Sequence, residues 1–164
     1  MAEVVRTPGR WRRRLAAALI AYLVVAFLVG MVTKFWPGPT FFGPAYSVKF
    51  TDWGWPSWMR FVAGAVEGIC AVLLVVPRRR ARFLGAAALV FLLAGAVTTH
   101  LLDAAPLYEE VSAPFHLLLT MGVALANWPP DWRLLLRPWE PDGPARDVAA
   151  AVPGEPRAPA RPAV

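Results

Sequence analysis

Residues 10–33 read RWRRRLAAALIAYLVVAFLVGMVT, a cluster of four arginines followed by a run of 19 residues, 15–33, that are almost all apolar. At 1.5 Å per residue in a helix, about 20 residues cross the hydrocarbon core of a bilayer. The run is longer than the apolar core of a cleaved signal peptide, and it ends without an Ala-x-Ala cleavage site. These features predict a transmembrane span that is retained.

Three more apolar runs follow, over residues 57–76, 83–102 and 111–128. The 164 residues are 57% hydrophobic and only 17% charged, and their mean hydropathy is +0.47, whereas soluble domains are about a quarter charged. Pro114 falls in the first turn of the fourth run, where proline is tolerated because that N–H has no helical partner. We therefore predict an all-α fold, an integral membrane four-helix bundle over residues 15–128.

Basic residues predict the orientation of this bundle. The N-terminal segment 1–14, the turn 77–82 and the tail after residue 128 carry 14 arginines, while the opposite loops and their borders carry only Lys34, Lys49 and Arg60. Such an asymmetry places both termini on the cytoplasmic side of the cell inner membrane in a multi-pass protein. The net charge of +6 belongs to these clusters, so it indicates topology and a lipid bilayer as partner, with no nucleic acid.

Two segments lie outside the predicted spans. Residues 35–55 are rich in Gly, Pro and aromatic residues, and we expect them to fold as an outer cap over the bundle rather than to be disordered. Residues 129–164 begin with Pro129 and Pro130, continue with an interfacial helical turn over 131–137, and end in a disordered cytoplasmic tail.

Glu67 lies ten residues into the second span, near the middle of the membrane. An ionisable residue at this depth is costly and therefore suggests a functional site. Gly64 and Gly68 flank it in a GxxxG arrangement that allows a neighbouring helix to approach closely. A neutral carboxyl that only clamps two helices by hydrogen bonding is an equal alternative.

Other polar groups converge toward the outer side and predict a pocket that is open there. Lys34 and Arg60 lie at the outer border, where snorkelling to the interface is the alternative, and Thr99 has the alternative of bonding its own helix backbone. The candidate binding residues are Glu67, His100, Lys34, His116, Arg60, Asp103 and Thr99. None is assigned a catalytic role.

Cofactor chemistry is restricted by the residues present. His100 and His116 with Asp103 invite haem or a metal, but their spacing is not diagnostic and we disfavour both. Cys70 is the only cysteine, which excludes a disulfide within the chain. The sequence has no phosphate-binding loop, dinucleotide fingerprint, HExxH motif or nucleophile elbow.

Several short motifs are familiar when taken together. They are MRFVAGAVEGI at 59–69, LLVVPRR at 73–79, a Gly-Ala pair at 85–86 and AVTTH at 96–100. Over residues 18–127 the chain resembles the DoxX and DoxX-like family of small four-span membrane proteins. The Gly-x-x-Glu element, the Arg-rich turn and the helix that opens with glycine carry most of the resemblance.

The resemblance implies a redox context. Founding members look like subunits of a thiosulfate:quinone oxidoreductase, and others associate with redox or detoxifying partners. Lys34, Glu67 and His100 fall on positions where the family pattern places polar groups, but the outer segment does not match a sulfur-oxidising subunit. We therefore expect a subunit of a quinone-linked oxidoreductase, with quinone as ligand and a soluble or membrane redox partner; enzymatic activity and a homo-oligomeric state stay open. The alternative is a non-enzymatic scaffold or assembly factor, and a transporter is disfavoured because no repeat or broken helix is evident.

Overall fold

The computed structural model describes residues 9–103, 107–130, 133 and 135, without the side chains of 107–110. Over this part the elements are α1 (Arg10–Phe35), α2 (Tyr46–Asp52), α3 (Met59–Val75), α4 (Arg79–Leu102) and α5 (Leu107–Ala126). No strand occurs among these residues apart from an isolated bridge between Thr40 and Gly43. The all-α prediction is thereby confirmed. The N-terminal residues 1–8 and nearly all of the predicted interfacial turn and tail lie outside the described residues.

The four long helices pack in the order α1, α3, α4, α5, and α2 lies against α1 and α3. The start of α4 meets the end of α5, because Arg79 donates to the carbonyl oxygen of Trp128 (3.4 Å) and Phe83 packs edge-on against its indole (5.3 Å). We call this the basic end, since the arginines of the α3–α4 turn lie here. The opposite end, which α2 covers, is the capped end.

Proline and glycine explain where several elements stop. α3 ends at Val75 because Val76 precedes Pro77 and adopts an extended conformation. α2 ends in a Schellman motif: Gly54 has a φ of 78°, and Trp55 N–H donates to the Phe50 carbonyl oxygen (2.8 Å). The sequence predicted an irregular segment here, and this local capping allows a seven-residue helix instead.

The position of Pro114 differs from the prediction. α5 begins at Leu107 rather than at residue 111, so Pro114 lies inside the helix and not in its first turn. It therefore removes a helical hydrogen bond within α5. The other three predicted runs fall largely on α1, α3 and α4, with ends shifted by a few residues.

The basic half of the bundle holds a packed apolar core. Its fully buried side chains include Leu23 of α1, Leu74 of α3 and Leu89 of α4.

Glycines of α3 let this helix approach α1 closely. A Cβ at Gly64 would lie 2.9 Å from the Phe35 ring, and one at Gly68 would collide with Met31. The GxxxG pair of α3 thus faces α1.

The outer surface of the helices is strongly apolar. Large exposed apolar side chains occur on every long helix: Val25 and Val32 on α1, Ile69 and Val72 on α3, Phe91 and Leu101 on α4, and Leu118 and Leu125 on α5. By length and composition α1 and α4 are apolar enough to cross a membrane; the Val111–Ala126 stretch of α5 is apolar but shorter, and α3 has 17 residues. These features suggest a membrane protein, while four spans and their orientation stay a prediction.

Candidate functional site

A cavity of about 650 Å³ occupies the capped half of the bundle. α1, α3, α4 and α5 form its sides. Residues 46–55, which we call the α2 region, lie over it and line it with Tyr46, Lys49, Phe50 and Trp53. Most lining side chains are aliphatic or aromatic, with a small number of polar groups. Its volume and composition are those of a site for a small organic molecule.

An ion pair joins α1 and α3 on the cavity wall. Lys34 Nζ donates to both carboxylate oxygens of Glu67 at 2.9 Å, and the two side chains are only 13% and 9% exposed. Gly30 makes room for the carboxylate, because a Cβ there would lie 2.8 Å from Glu67 Oε2. Glu67 therefore faces an ammonium group of the neighbouring helix, a partner that the sequence analysis did not assign to it.

Arg60 fixes the end of α1 beside this pair. Its guanidinium donates to the carbonyl oxygens of Lys34 (2.7 Å) and Trp36 (3.0 Å), which have no partner within the helix. Arg60 also covers the ring of Phe61, at 4.1 Å from the centroid. It does not line the cavity. Its contacts position the backbone that carries Lys34.

Two lysines, one from α1 and one from α2, contact the aromatic ring of Tyr46 at the start of α2. Lys34 Nζ lies 4.9 Å and Lys49 Nζ 5.4 Å from the centroid of the Tyr46 ring. Lys49 is buried and donates to the carbonyl oxygen of Phe42 (2.7 Å). The ring therefore stabilises both ammonium groups by cation–π contact and ties α2 to α1.

Tyr22 and His116 connect α1 and α5. His116 Nδ1 lies 2.8 Å from the carbonyl oxygen of Ser112, which only accepts, so Nδ1 carries the proton. In a neutral ring Nε2 then accepts from the Tyr22 hydroxyl (3.1 Å), and the two rings stack at 5.7 Å. Phe27 packs edge-on against His116 at 5.9 Å. Both residues line the cavity.

The end of α4 contributes the remaining polar groups. The imidazole of His100 packs edge-on against Trp53 (5.1 Å). Thr99 donates to the Gly95 carbonyl oxygen (3.0 Å), as its backbone-bonding alternative predicted, and also accepts from the Trp55 indole (3.4 Å). α4 is thus connected to the α2 region at the capped end.

The structure brings most of the sequence-predicted residues to one place. Lys34, Glu67, Thr99, His100 and His116 line the cavity, whereas Arg60 and Asp103 do not. Tyr22, Tyr46, Lys49 and Trp53 line it and were missed. Lys49 was interpreted only as a border charge; its position among aromatic residues was the available signal.

Metal-ligating side chains do not gather in this site. In the part of the chain that the structure describes, no three His, Cys, Asp or Glu residues lie close enough together to hold an ion. Cys70 is buried in the core next to Leu74 and Leu89. Among the polar groups of the cavity, Lys34 and Glu67 form an ion pair between helices, and Tyr22 and His116 form a hydrogen bond between helices.

Comparison with known proteins gives a family. The model of the DoxX-like family matches residues 10–124, which contain all of α1 to α4 and most of α5. No curated protein and no solved structure matches the chain. The match covers more than half of the 164 residues and confirms the resemblance seen in the sequence. The chain belongs to the DoxX-like family.

Proposed function

We propose that this protein is a four-span membrane protein, with both termini cytoplasmic, whose cavity binds a quinone or a similar small apolar molecule as part of a redox system. The observation that carries the proposal is the 650 Å³ cavity, in which a few polar groups interrupt an otherwise apolar wall. Sites of this kind hold a ring by its faces and orient it by a few hydrogen bonds.

The four-span arrangement is supported by what the helices expose. Each long helix carries large exposed apolar residues, and soluble proteins rarely expose so wide an apolar surface to water. Arginines lie at the opposite end from α2, where Arg78 and Arg79 flank the start of α4. A bilayer around the apolar girdle, with the basic end at the cytoplasmic surface, accounts for both features.

The chemistry of a quinone suits the polar groups of the cavity. Its carbonyl oxygens accept hydrogen bonds, and Lys34 and His100 are lining side chains that carry N–H groups. Its reduced form carries two additional protons, which Glu67 and His116 are suited to exchange. Trp53 and Phe50 provide aromatic surface against which a ring stacks. A redox partner subunit would then supply or remove electrons.

A scaffold without a ligand is the second candidate, and one observation favours it. The Lys34–Glu67 ion pair and the Tyr22–His116 hydrogen bond both join neighbouring helices, so each group has a structural task. In that case the cavity would be incidental and partner proteins would bind the outer surface.

The two candidates are separated by filling the cavity. Ala96 lines it, whereas Ala94 on the same helix is exposed and does not. We expect nanodiscs containing the wild-type protein to retain a radiolabelled decyl-tailed dimethoxy-methyl-benzoquinone above empty nanodiscs. Ala96→Phe should reduce this retention at least tenfold, and Ala94→Phe should leave it unchanged.

Glu67→Gln and His100→Ala complete the test. The proposal expects both to weaken quinone retention while the helical fold persists by circular dichroism. If the wild type retains no more quinone than empty nanodiscs, and the two variants only lower the melting temperature, the scaffold candidate replaces the ligand-binding one.

A further inference from the structure

The sides of the cavity differ in the contacts that the helices make there. Between α1 and α3 the helices touch through Gly30 and Gly64, and between α1 and α5 the Tyr22–His116 hydrogen bond spans the gap. The α2 region, with buried Lys49 and Phe50, covers the capped end. The α1–α3 side and the capped end are thus closed, whereas Tyr22 and Val29 on the α1–α5 side line the cavity and are also exposed, so a polar contact bridges that side without sealing it.

On the α3–α4 side, the surroundings of α4 change between the basic half and the capped half. At the basic half the two helices touch closely, because a Cβ at Gly85 would lie 3.1 Å from the Cys70 carbonyl oxygen. Toward the capped half there is open space beside α4, since a Cβ at Gly95 would meet nothing within 4 Å. Gly95 nevertheless lines the cavity, as does Val62 on the facing helix.

Two side chains on the α3–α4 side line the cavity and are also exposed at the protein surface. Val62 is 48% exposed and Phe91 is 81% exposed, although both contact the cavity. The indole of Trp55 donates to Thr99 above them and bounds the opening at the capped end. We call the opening framed by Val62, Phe91, Gly95 and the Trp55–Thr99 bond the α3–α4 window.

The surface around the window is apolar. Ile69 on α3 and Phe91 on α4 are exposed on its basic side, and neither helix presents a charged residue beside them. In a four-span bundle this surface faces lipid chains rather than water. A molecule that passes through the window therefore moves between the cavity and the apolar phase of the bilayer.

We infer that the ligand is a single-tailed amphiphile, with a ring-sized polar head in the cavity and an apolar tail that leaves through the α3–α4 window into the bilayer. This inference rests on the proposed function and specifies its ligand class. The charged and hydrogen-bonding groups Lys34, Glu67 and His116 line the cavity, while Val62, Phe91 and Gly95 at the sides of the window are apolar, in contrast to the Tyr22 hydroxyl on the α1–α5 side. A cavity of about 650 Å³ holds a small organic molecule, so a long prenyl or alkyl tail must extend beyond it.

Photo-labelling tests the path of the tail. The probe is the decyl-tailed dimethoxy-methyl-benzoquinone with a diazirine at the end of its tail, added to wild-type protein in nanodiscs and mapped by peptide mass spectrometry. We expect labelling on the outward faces of α3 and α4, at residues such as Ile69 and Phe91, that excess tail-free dimethoxy-methyl-benzoquinone removes. Labelling that is removed in this way but lies on α1 or α5 overturns the window assignment.

A matched glycine pair provides the second arm. Gly95→Trp fills the window, and Gly122→Trp places the same side chain on α5, where a Cβ also meets nothing within 4 Å and no cavity is lined. We expect Gly95→Trp to reduce retention of the tailed quinone at least tenfold and of the tail-free quinone less than threefold, with Gly122→Trp near wild type for both.

The two arms separate failure of the inference from failure of the proposed function. Equal effects of Gly95→Trp on the tailed and the tail-free quinone overturn the tail assignment and leave the cavity as a quinone site. If the wild type retains neither quinone above empty nanodiscs, the proposed function fails, and the inference fails with it.

Discussion

Gly85 and Gly95 lie on the same helix, and yet they mark two different kinds of helix contact. At Gly85 the backbone of α3 is so close that a methyl group would touch the Cys70 carbonyl oxygen, whereas at Gly95 there is open space. The basic half of the bundle is accordingly a packed core, and the capped half is a cavity. Close packing at one end holds the helices together, while the other end leaves space for the cavity.

The same division separates the kinds of interaction. Aliphatic side chains such as Leu23, Leu74 and Leu89 fill the basic half. In the capped half, an ion pair, hydrogen bonds and aromatic contacts join the helices. Substitutions in the basic half should therefore change stability alone, and those in the capped half should change stability and ligand retention together.

The largest effect is expected for Lys34→Met in the capped half. It leaves the Glu67 carboxylate buried without its ammonium partner, which typically costs about 3–5 kcal/mol of unfolding free energy. Adding Glu67→Gln removes the stranded charge, so the double variant should recover about half of that loss. Denaturant unfolding of the purified protein in detergent measures both. A double variant no more stable than Lys34→Met would contradict the ion pair.

Leu89→Ala probes the basic half with a somewhat smaller effect. Leu89 is fully buried, and truncating such a leucine creates a cavity that costs about 3 kcal/mol. The cavity in which we propose that a quinone binds lies in the other half, so retention by the folded variant should match the wild type. Unfolding and nanodisc retention, measured on the same preparation, check this; a tenfold loss of retention would mean that the two halves are coupled.

The helical architecture was readable from the sequence because it depends on local features. The runs at 15–33 and 83–102 are long, apolar and bounded by charge or proline, and they fall on α1 and α4. The helix α2 was missed, since its stability comes from the Gly54 capping motif and from burial of Lys49 and Phe50 rather than from periodicity. Pro114 was assigned to the first turn of α5 because the helix begins with a segment that contains two glutamates, whereas its start was predicted from the apolar run alone.

The site was predicted as a set of residues but not as pairs. Depth along each helix identified Lys34, Glu67 and His116 as polar groups of one region. The rotation of each helix about its axis decides which of them touch, and no local pattern encodes it. Hence the contact of Glu67 with Lys34, and the hydrogen bond of His116 with Tyr22, came only from the structure.

Gly85→Ala and Gly95→Ala together test whether the two glycines of α4 have different surroundings. The first methyl group would lie 2.9 Å from Leu73 Cβ and 3.1 Å from backbone, so overpacking should cost about 1–3 kcal/mol. The second meets open space, and the better helix propensity of alanine should stabilise by up to about 1 kcal/mol. Thermal melts in detergent decide this; equal shifts for the two variants would mean that Gly85 is not more closely packed than Gly95.

The smallest effect is expected for Tyr22→Phe, which removes one hydrogen bond and retains the ring stacked on His116. The loss should be about 1 kcal/mol, because His116 keeps its bond to Ser112 and only Nε2 loses its partner. Tyr46→Phe is the matched control, since the contacts of Tyr46 with Lys34 and Lys49 are made by its ring, and it should cost less than about 0.5 kcal/mol. If the two variants lose equal stability in denaturant unfolding, the hydroxyl of Tyr22 does not hold α1 to α5. That side of the cavity would then rival the α3–α4 window as the way to the bilayer.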